Sequence, residues 1–154
     1  MSDSAEFTLH LASRDGHLEE VLSLLTNNPG LDVNWALTHD HFTALHAASW
    51  KGHTELVKLL LAHPAIHVNA KTKYGQTPLS IACENGEVSV VQVLLKDPRV
   101  DVTLDDLGGR TALWNASCDG QYDVIEWLMA SGRWLGDVRN KKRKDLGSEE
   151  VHRT

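Results

Sequence analysis

Only two cysteines, Cys83 and Cys118, occur in the 154 residues. That is too few for a disulfide framework and suits a reducing compartment. Long apolar runs are missing as well. No window approaches the roughly 18 uninterrupted apolar residues of a membrane span, so none is expected. Met1 to Glu6 carry acids and no apolar stretch, which predicts no signal peptide. Catalytic signatures are absent too: there is no G-x-S-x-G elbow, no phosphate-binding glycine loop and no H-E-x-x-H helix. Gly108-Gly109 is too short to cradle a phosphate, and the carboxylates are scattered. Neither an enzyme nor a cofactor is expected.

What is present is globular in composition, 42% hydrophobic and 23% charged. At this length one domain with a sizeable core is expected. Charge is unevenly placed. Residues 1–138 carry 9 Lys/Arg against 18 Asp/Glu, a balance of −9. Residues 139–154 carry 6 against 3, a balance of +3. An acidic body repels phosphate backbones, so direct nucleic-acid binding is not expected.

An internal repeat organises the chain. Thr43-Ala-Leu-His-Ala-Ala returns as Thr77-Pro-Leu-Ser-Ile-Ala and as Thr111-Ala-Leu-Trp-Asn-Ala, after a weaker copy, Phe7-Thr-Leu-His-Leu-Ala. The offsets are 36, 34 and 34 residues. A glycine follows nine residues after each start, at Gly16, Gly52, Gly86 and Gly120. Five residues further on stand Val21, Val57, Val91 and Ile125, each followed by a pair of large apolar residues. Four units are therefore expected.

Each unit reads as two short helices. Thr43, Thr77 and Thr111 are N-cap residues, whose hydroxyls can accept from an orphan amide of the first turn. Pro78 suits the first helical position, and the glycine closes the helix. A second helix is predicted over 55–62, with Val57, Leu60 and Leu61 on one buried face; Pro64 stops it. Helices this short cannot bury their apolar faces alone, so the units must stack. Glu20 and Ser23 replace the apolar residues of later units, giving the first unit a polar outward face. Phe7 in place of threonine is a second departure at that end. Trp114 and Trp127 fall at core-register positions. Trp134, Leu135 and Val138 read as a lid over unit four.

Leu45-His46-Ala47-Ala48, Gly52-His53, Val57 to Leu61 and Val68-Asn69-Ala70 resemble the ankyrin repeat, whose pattern runs T-P-L-H-x-A-A, G-H, V-V-x-L-L-L, D-V-N. The resemblance covers roughly residues 5–138. Departures include Ser80 and Trp114 at the motif histidine, Thr38 and Thr72 at the turn aspartate, and His41 at the turn glycine. Trp114 is expected to alter the packing of unit four. The resemblance implies an all-α ankyrin-repeat solenoid of four helix-turn-helix units with β-turn tips. The domain is placed at 1–139, with repeats at about 5–39, 40–73, 74–107 and 108–139, and a basic tail at 140–154.

The same resemblance implies a non-enzymatic module that binds a partner protein through its concave face. Projecting that face here gives Phe42, Tyr74, Gln76 and Arg110 at the tips, and Trp50, Ile81, Glu84 and Asn115 on the first helices. His39, Asp40 and Lys73 at the tips, and Leu11, Arg14, Ala47, Lys51, Cys118 and Asp119 on the first helices, are further candidate contacts. Trp50 replaces a normally small or polar residue and should be only partly covered. It either anchors a partner, joined by Phe42 and Tyr74, or packs on the neighbouring helix. Trp35 lies in the longer link after unit one.

His10 and His46 belong to the repeat motif and are expected to hydrogen-bond across turns. His39-Asp40-His41 offers two ligands, short of the four of a structural zinc site, so no metal is expected. Cys83 reads as a small core residue. Arg139, Lys141, Lys142, Arg143 and Lys144 resemble a short nuclear-localisation signal, or else form a solvated charged end. The expectation is a monomeric scaffold or adaptor, cytoplasmic and/or nuclear, with no membrane or direct nucleic-acid contact. A stoichiometric kinase inhibitor and a nuclear transcriptional cofactor entering through its basic tail are the alternatives.

Overall fold

The computed structural model describes residues 4–133. Eight helices follow one another in four pairs: α1 (Ala5–Asp15) with α2 (Leu18–Asn27), α3 (Ala44–Lys51) with α4 (Thr54–Leu61), α5 (Pro78–Glu84) with α6 (Val88–Lys96), and α7 (Ala112–Cys118) with α8 (Tyr122–Ala130). Among the described residues there is no strand, only an isolated bridge between Ala36 and Thr43. The protein is an all-α repeat solenoid.

The first helices start where capping chemistry dictates. Thr43 Oγ1 accepts from His46 N, while the His46 ring accepts in return from Thr43 N. Thr77 and Ser80 repeat that reciprocal box, with Pro78 at the start of α5. Thr111 Oγ1 accepts from Trp114 N, but an indole has no acceptor to return. At the N-terminus the expected cap is displaced. Ser4 Oγ accepts from Phe7 N at 3.1 Å, so α1 begins earlier and Phe7 lies inside it. Gly52, at φ 75°, ends α3 in the left-handed region that a side chain would strain. The second helix of unit two, expected over 55–62, spans Thr54–Leu61.

Stacking then makes one core. Helices α1, α3, α5 and α7 form one row and α2, α4, α6 and α8 a second. Leu9, Leu45 and Leu79 occupy the same register in the first row, and Val21, Val57 and Val91 in the second; all six are buried. Removing each leucine from water contributes about 1.5–3 kcal/mol. Polar ladders run between units beside this core. Lys73 N donates to Asp40 O at 2.7 Å, and Leu107 N to Tyr74 O at 3.1 Å, joining successive tips. Asn34 donates to Ala65 O and accepts from His67 N, both at 2.7 Å. Asn69 makes the same pair of bonds with Arg99 O and Asp101 N. Arg99 donates to Leu61 O and Arg133 to Leu95 O. Each guanidinium thus meets the negative, carbonyl end of a second helix in the preceding unit.

Thr72 preserves this network, whereas Thr38 is exposed and Asp40 Oδ1 accepts from Phe42 N at that tip. Thr72 Oγ1 accepts from Tyr74 N and Gln76 N, as Asp106 Oδ1 accepts from Gly108 N and Arg110 N. His41 adopts φ 58° where the other turns have glycine. Gly75 is less replaceable. Its φ is 79°, and a Cβ there would stand 2.9 Å from Leu107 N and 3.1 Å from Asp106 Cα, both backbone atoms. Gly109 shares the left-handed φ but has nothing within 4 Å. Gly109→Ala is expected to cost about 1–2 kcal/mol of left-handed strain alone. Gly75→Ala should cost clearly more in urea denaturation, because the two tips must separate. Equal midpoints for the two variants would contradict the tip contact.

The two ends differ. Glu20 and Ser23 are exposed on unit one, giving the polar outward face expected there. At the other end the expectation of core tryptophans is corrected: Trp114 and Trp127 are each 45% exposed. Leu113 and Ile125 are only half-buried, although their counterparts in earlier units are fully enclosed. Among the described residues no further helix pair covers that side. The lid residues Trp134, Leu135 and Val138, and the basic segment Arg139 to Lys144, lie outside the described residues. Cys83 is buried in the core, and burial pushes its thiol well above the usual range. Cys118 is exposed.

Candidate protein-binding groove

Because the first helices repeat in register, equivalent residues line up across the stack. Leu11, Ala47, Ile81 and Asn115 fall on equivalent positions, as do Arg14, Trp50, Glu84 and Cys118. Helices α1, α3 and α5, with the tips before α3 and α5, enclose a groove of about 520 Å³. Phe42, Ala47, Trp50 and Ile81 supply its apolar surface, together with Leu37. Arg14, Asp40, Gln76, Glu84 and Asn85 supply polar groups, and His10 lies against it.

An aromatic chain supports this groove. Trp35 meets Phe7 and His10 edge-on, with centroids 6.1 and 6.3 Å apart. His10 then meets Phe42 at 6.2 Å, and Phe42 meets Trp50 at 6.1 Å, again edge to face. These separations fall in the favourable range for aromatic pairs. Trp50 remains 40% exposed, partly covered as its position suggested. Lys51 Nζ sits 4.1 Å from its ring centroid, so the indole already accepts one cation.

The two motif histidines behave differently. His46 is fully buried; Nδ1 accepts from Thr43 N at 3.2 Å, so Nε2 carries the proton and donates to Gln76 O at 3.0 Å. Burial pushes its pKa down to about 4, against the opposing effect of the Gln76 carbonyl. His10 was expected to bond across a turn and does not. It is 4% exposed and its Nδ1 has no partner. The threonine that engages this ring position in unit two is Phe7 in unit one. Burial pushes the pKa of His10 down too.

Of the residues expected on the face, Phe42, Trp50, Gln76, Ile81 and Glu84 come together in the groove, with Arg14, Asp40 and Ala47. Tyr74, Arg110 and Asn115 do not line it. Tyr74 is 62% exposed. The Arg110 guanidinium lies 4.6 Å over the Trp114 ring. Asn115 is buried with its amide nitrogen unpaired. His10, Leu37 and Asn85 were not anticipated as lining residues. Among the described residues no three His, Cys, Asp or Glu side chains gather where they could hold a metal ion. Nor is any described helix long and apolar enough to cross a membrane.

Four stacked helix pairs with bonded tips and repeated threonine caps are paralleled in sequence. The family described as ankyrin repeats (3 copies) matches residues 2–72 and 65–140. The chain belongs to the ankyrin-repeat family. Cortactin-binding protein 2 of Rattus norvegicus is 41% identical over 73 residues, 47% of this chain and 4% of that protein. The probable E3 ubiquitin-protein ligase XBOS32 of Oryza sativa subsp. japonica is 38% identical over 73 residues, 47% of this chain and 14% of that protein. Rabankyrin-5 of Homo sapiens is 38% identical over 74 residues, 48% of this chain and 6% of that protein. The chain thus matches only a small part of each relative. Ankyrin repeats are generally protein–protein interaction modules, and the fold is typically non-enzymatic.

Proposed function

We propose that this ankyrin-repeat chain is a scaffold or adaptor that binds a partner protein as a monomer through its concave face, with the groove between α1, α3 and α5 as the anchor point. The observation that carries this is Trp50: a tryptophan left 40% exposed beside Phe42, on the open side of a groove lined by three helices. Tryptophan desolvates a large area at small entropic cost, and such residues dominate binding hot spots. The mechanism is preorganisation. The capped helices and bonded tips hold the groove without a partner, so little ordering accompanies association. The acidic body disfavours nucleic acid as a direct partner.

Affinity capture with wild-type and Trp50→Ala baits, read by mass spectrometry, tests the proposal. A hot-spot tryptophan contributes at least about 2 kcal/mol, so the variant should bind the captured partner about 30-fold more weakly or lose it. Circular dichroism should be unchanged, because Trp50 lies at the surface end of α3. A partner retained equally by both baits overturns the reading.

A further inference from the structure

The charges around the groove are not balanced, and the imbalance specifies what it takes. Of its charged lining residues, Arg14 is paired: Nε and Nη2 donate to the two carboxylate oxygens of Asp15 at 2.8 and 3.3 Å. Lys51 adds one positive charge beside the lining, over the Trp50 ring. Two carboxylates stand on the lining itself, Asp40 on the tip before α3 and Glu84 at the end of α5. Asp40 Oδ1 accepts from Phe42 N, and its Oδ2 lies 3.4 Å from the His39 ring. Glu84 Oε2 accepts from Gln76 Nε2 at 3.0 Å, leaving Oε1 open in an exposed position. His10 behind them adds no positive charge at neutral pH, because burial pushes its pKa down. Phe42 and Trp50 are accessible apolar residues of the same lining, and Ile81 forms part of its buried floor.

We propose that the groove takes an extended segment of the partner protein bearing an arginine or lysine next to an apolar residue. The stem of the basic side chain lies along Phe42 and Trp50, and its head reaches Asp40 and Glu84. This rests on the concave-face reading above and names the chemistry of the partner there. Long basic side chains combine an apolar stem with a charged head, which matches an aromatic surface edged by carboxylates. Lys51 over the Trp50 ring is the same pairing made within the chain. The balance of −9 over residues 1–138 favours a basic segment at long range as well.

Panning the full chain against displayed random peptides of about twelve residues, which at ~3.3 Å per residue can span several units, tests this. The recovered peptides should carry Arg or Lys beside an apolar residue. Synthetic copies should bind Glu84→Gln about three- to tenfold more weakly and Glu84→Lys more weakly still. Replacing the peptide's basic residue with glutamine should have the same effect, and Trp50→Ala should abolish binding. Recovery of acidic or uncharged peptides that still need Trp50 would overturn the basic-segment inference while leaving the groove as the binding site. Peptides indifferent to Trp50→Ala would overturn the groove reading itself. A third result would also count against the inference. If binding emerged only after Arg139, Lys141, Lys142, Arg143 and Lys144 were all changed to glutamine, the chain's own basic segment would be the occupant.

Discussion

Replacing His46 with alanine is expected to remove about 3–5 kcal/mol of stability, a large share of the 5–15 kcal/mol that holds a typical domain. Two losses combine. The imidazole is fully buried between units two and three, so its removal leaves a cavity that the neighbours close only partly. Its hydrogen bonds are lost as well: Gln76 O and Thr43 N both bond to the ring. Gln76 O keeps the bond it accepts from Thr72 N, whereas the buried Thr43 N is left unpaired, at about 1–3 kcal/mol. His10 is the control built into the repeat. It occupies the same motif position and is nearly as buried, yet its Nδ1 has no hydrogen-bond partner. His10→Ala should therefore cost only the cavity term and destabilise less than His46→Ala. Urea denaturation of both variants decides it; equal losses would mean that the bond to the Gln76 carbonyl contributes nothing net.

The contrast between these histidines also marks where the sequence was legible. Residues 43–120 repeat at 34, and there the pattern located the caps, the glycine stops and the buried valines and leucines, because each obeys a local rule. The first unit is offset by 36 instead. That longer link carries Trp35 and Leu37 outside the repeat motif, so the aromatic chain from Phe7 to Trp50 and the role of Leu37 in the groove were hidden. The cap at Ser4 was missed because the motif alignment put Phe7 where later units have threonine. Trp114 and Trp127 were misplaced for a different reason. Register assigns a residue to the stacking side of a unit, but burial there depends on whether another helix pair packs against that side. The counterparts of Trp114, His46 and Ser80, are buried, and those of Trp127, Leu59 and Val93, are partly covered; both tryptophans are exposed where the described stack ends. Phe42, Trp50, Gln76, Ile81 and Glu84, which line the groove, all come from register. The groove's boundaries depend on side-chain packing across three units, which no single motif encodes.

Acidification should weaken the fold well before its carboxylates titrate. His46 has an ordinary pKa of 6.5 and a folded value near 4, lowered by burial. Its folded pKa is thus depressed, so below pH 6.5 the unfolded chain takes up a proton that the folded chain refuses. Stability is fully present above pH 6.5 and is lost as the pH falls towards 4. The slope is about 1.4 kcal/mol per pH unit, which gives about 3 kcal/mol over the window. The cause is specific. Nδ1 must stay unprotonated to accept from Thr43 N, so a charged ring would break the capping box that starts α3. Burial pushes His10 the same way and adds to the slope. Asp15 and Asp97 do not contribute in this range. Their folded values are lowered from 3.8 by hydrogen bonds from Arg14 and Arg99, so what they contribute is lost only at more acidic pH. Urea denaturation at intervals from pH 7.5 to 4 should give a falling midpoint for the wild type. The curve for His46→Gln should start lower and run markedly flatter. A wild-type midpoint that held constant to pH 4 would mean that His46 accepts its proton without leaving the box, and that the capping geometry at Thr43 tolerates a charged ring.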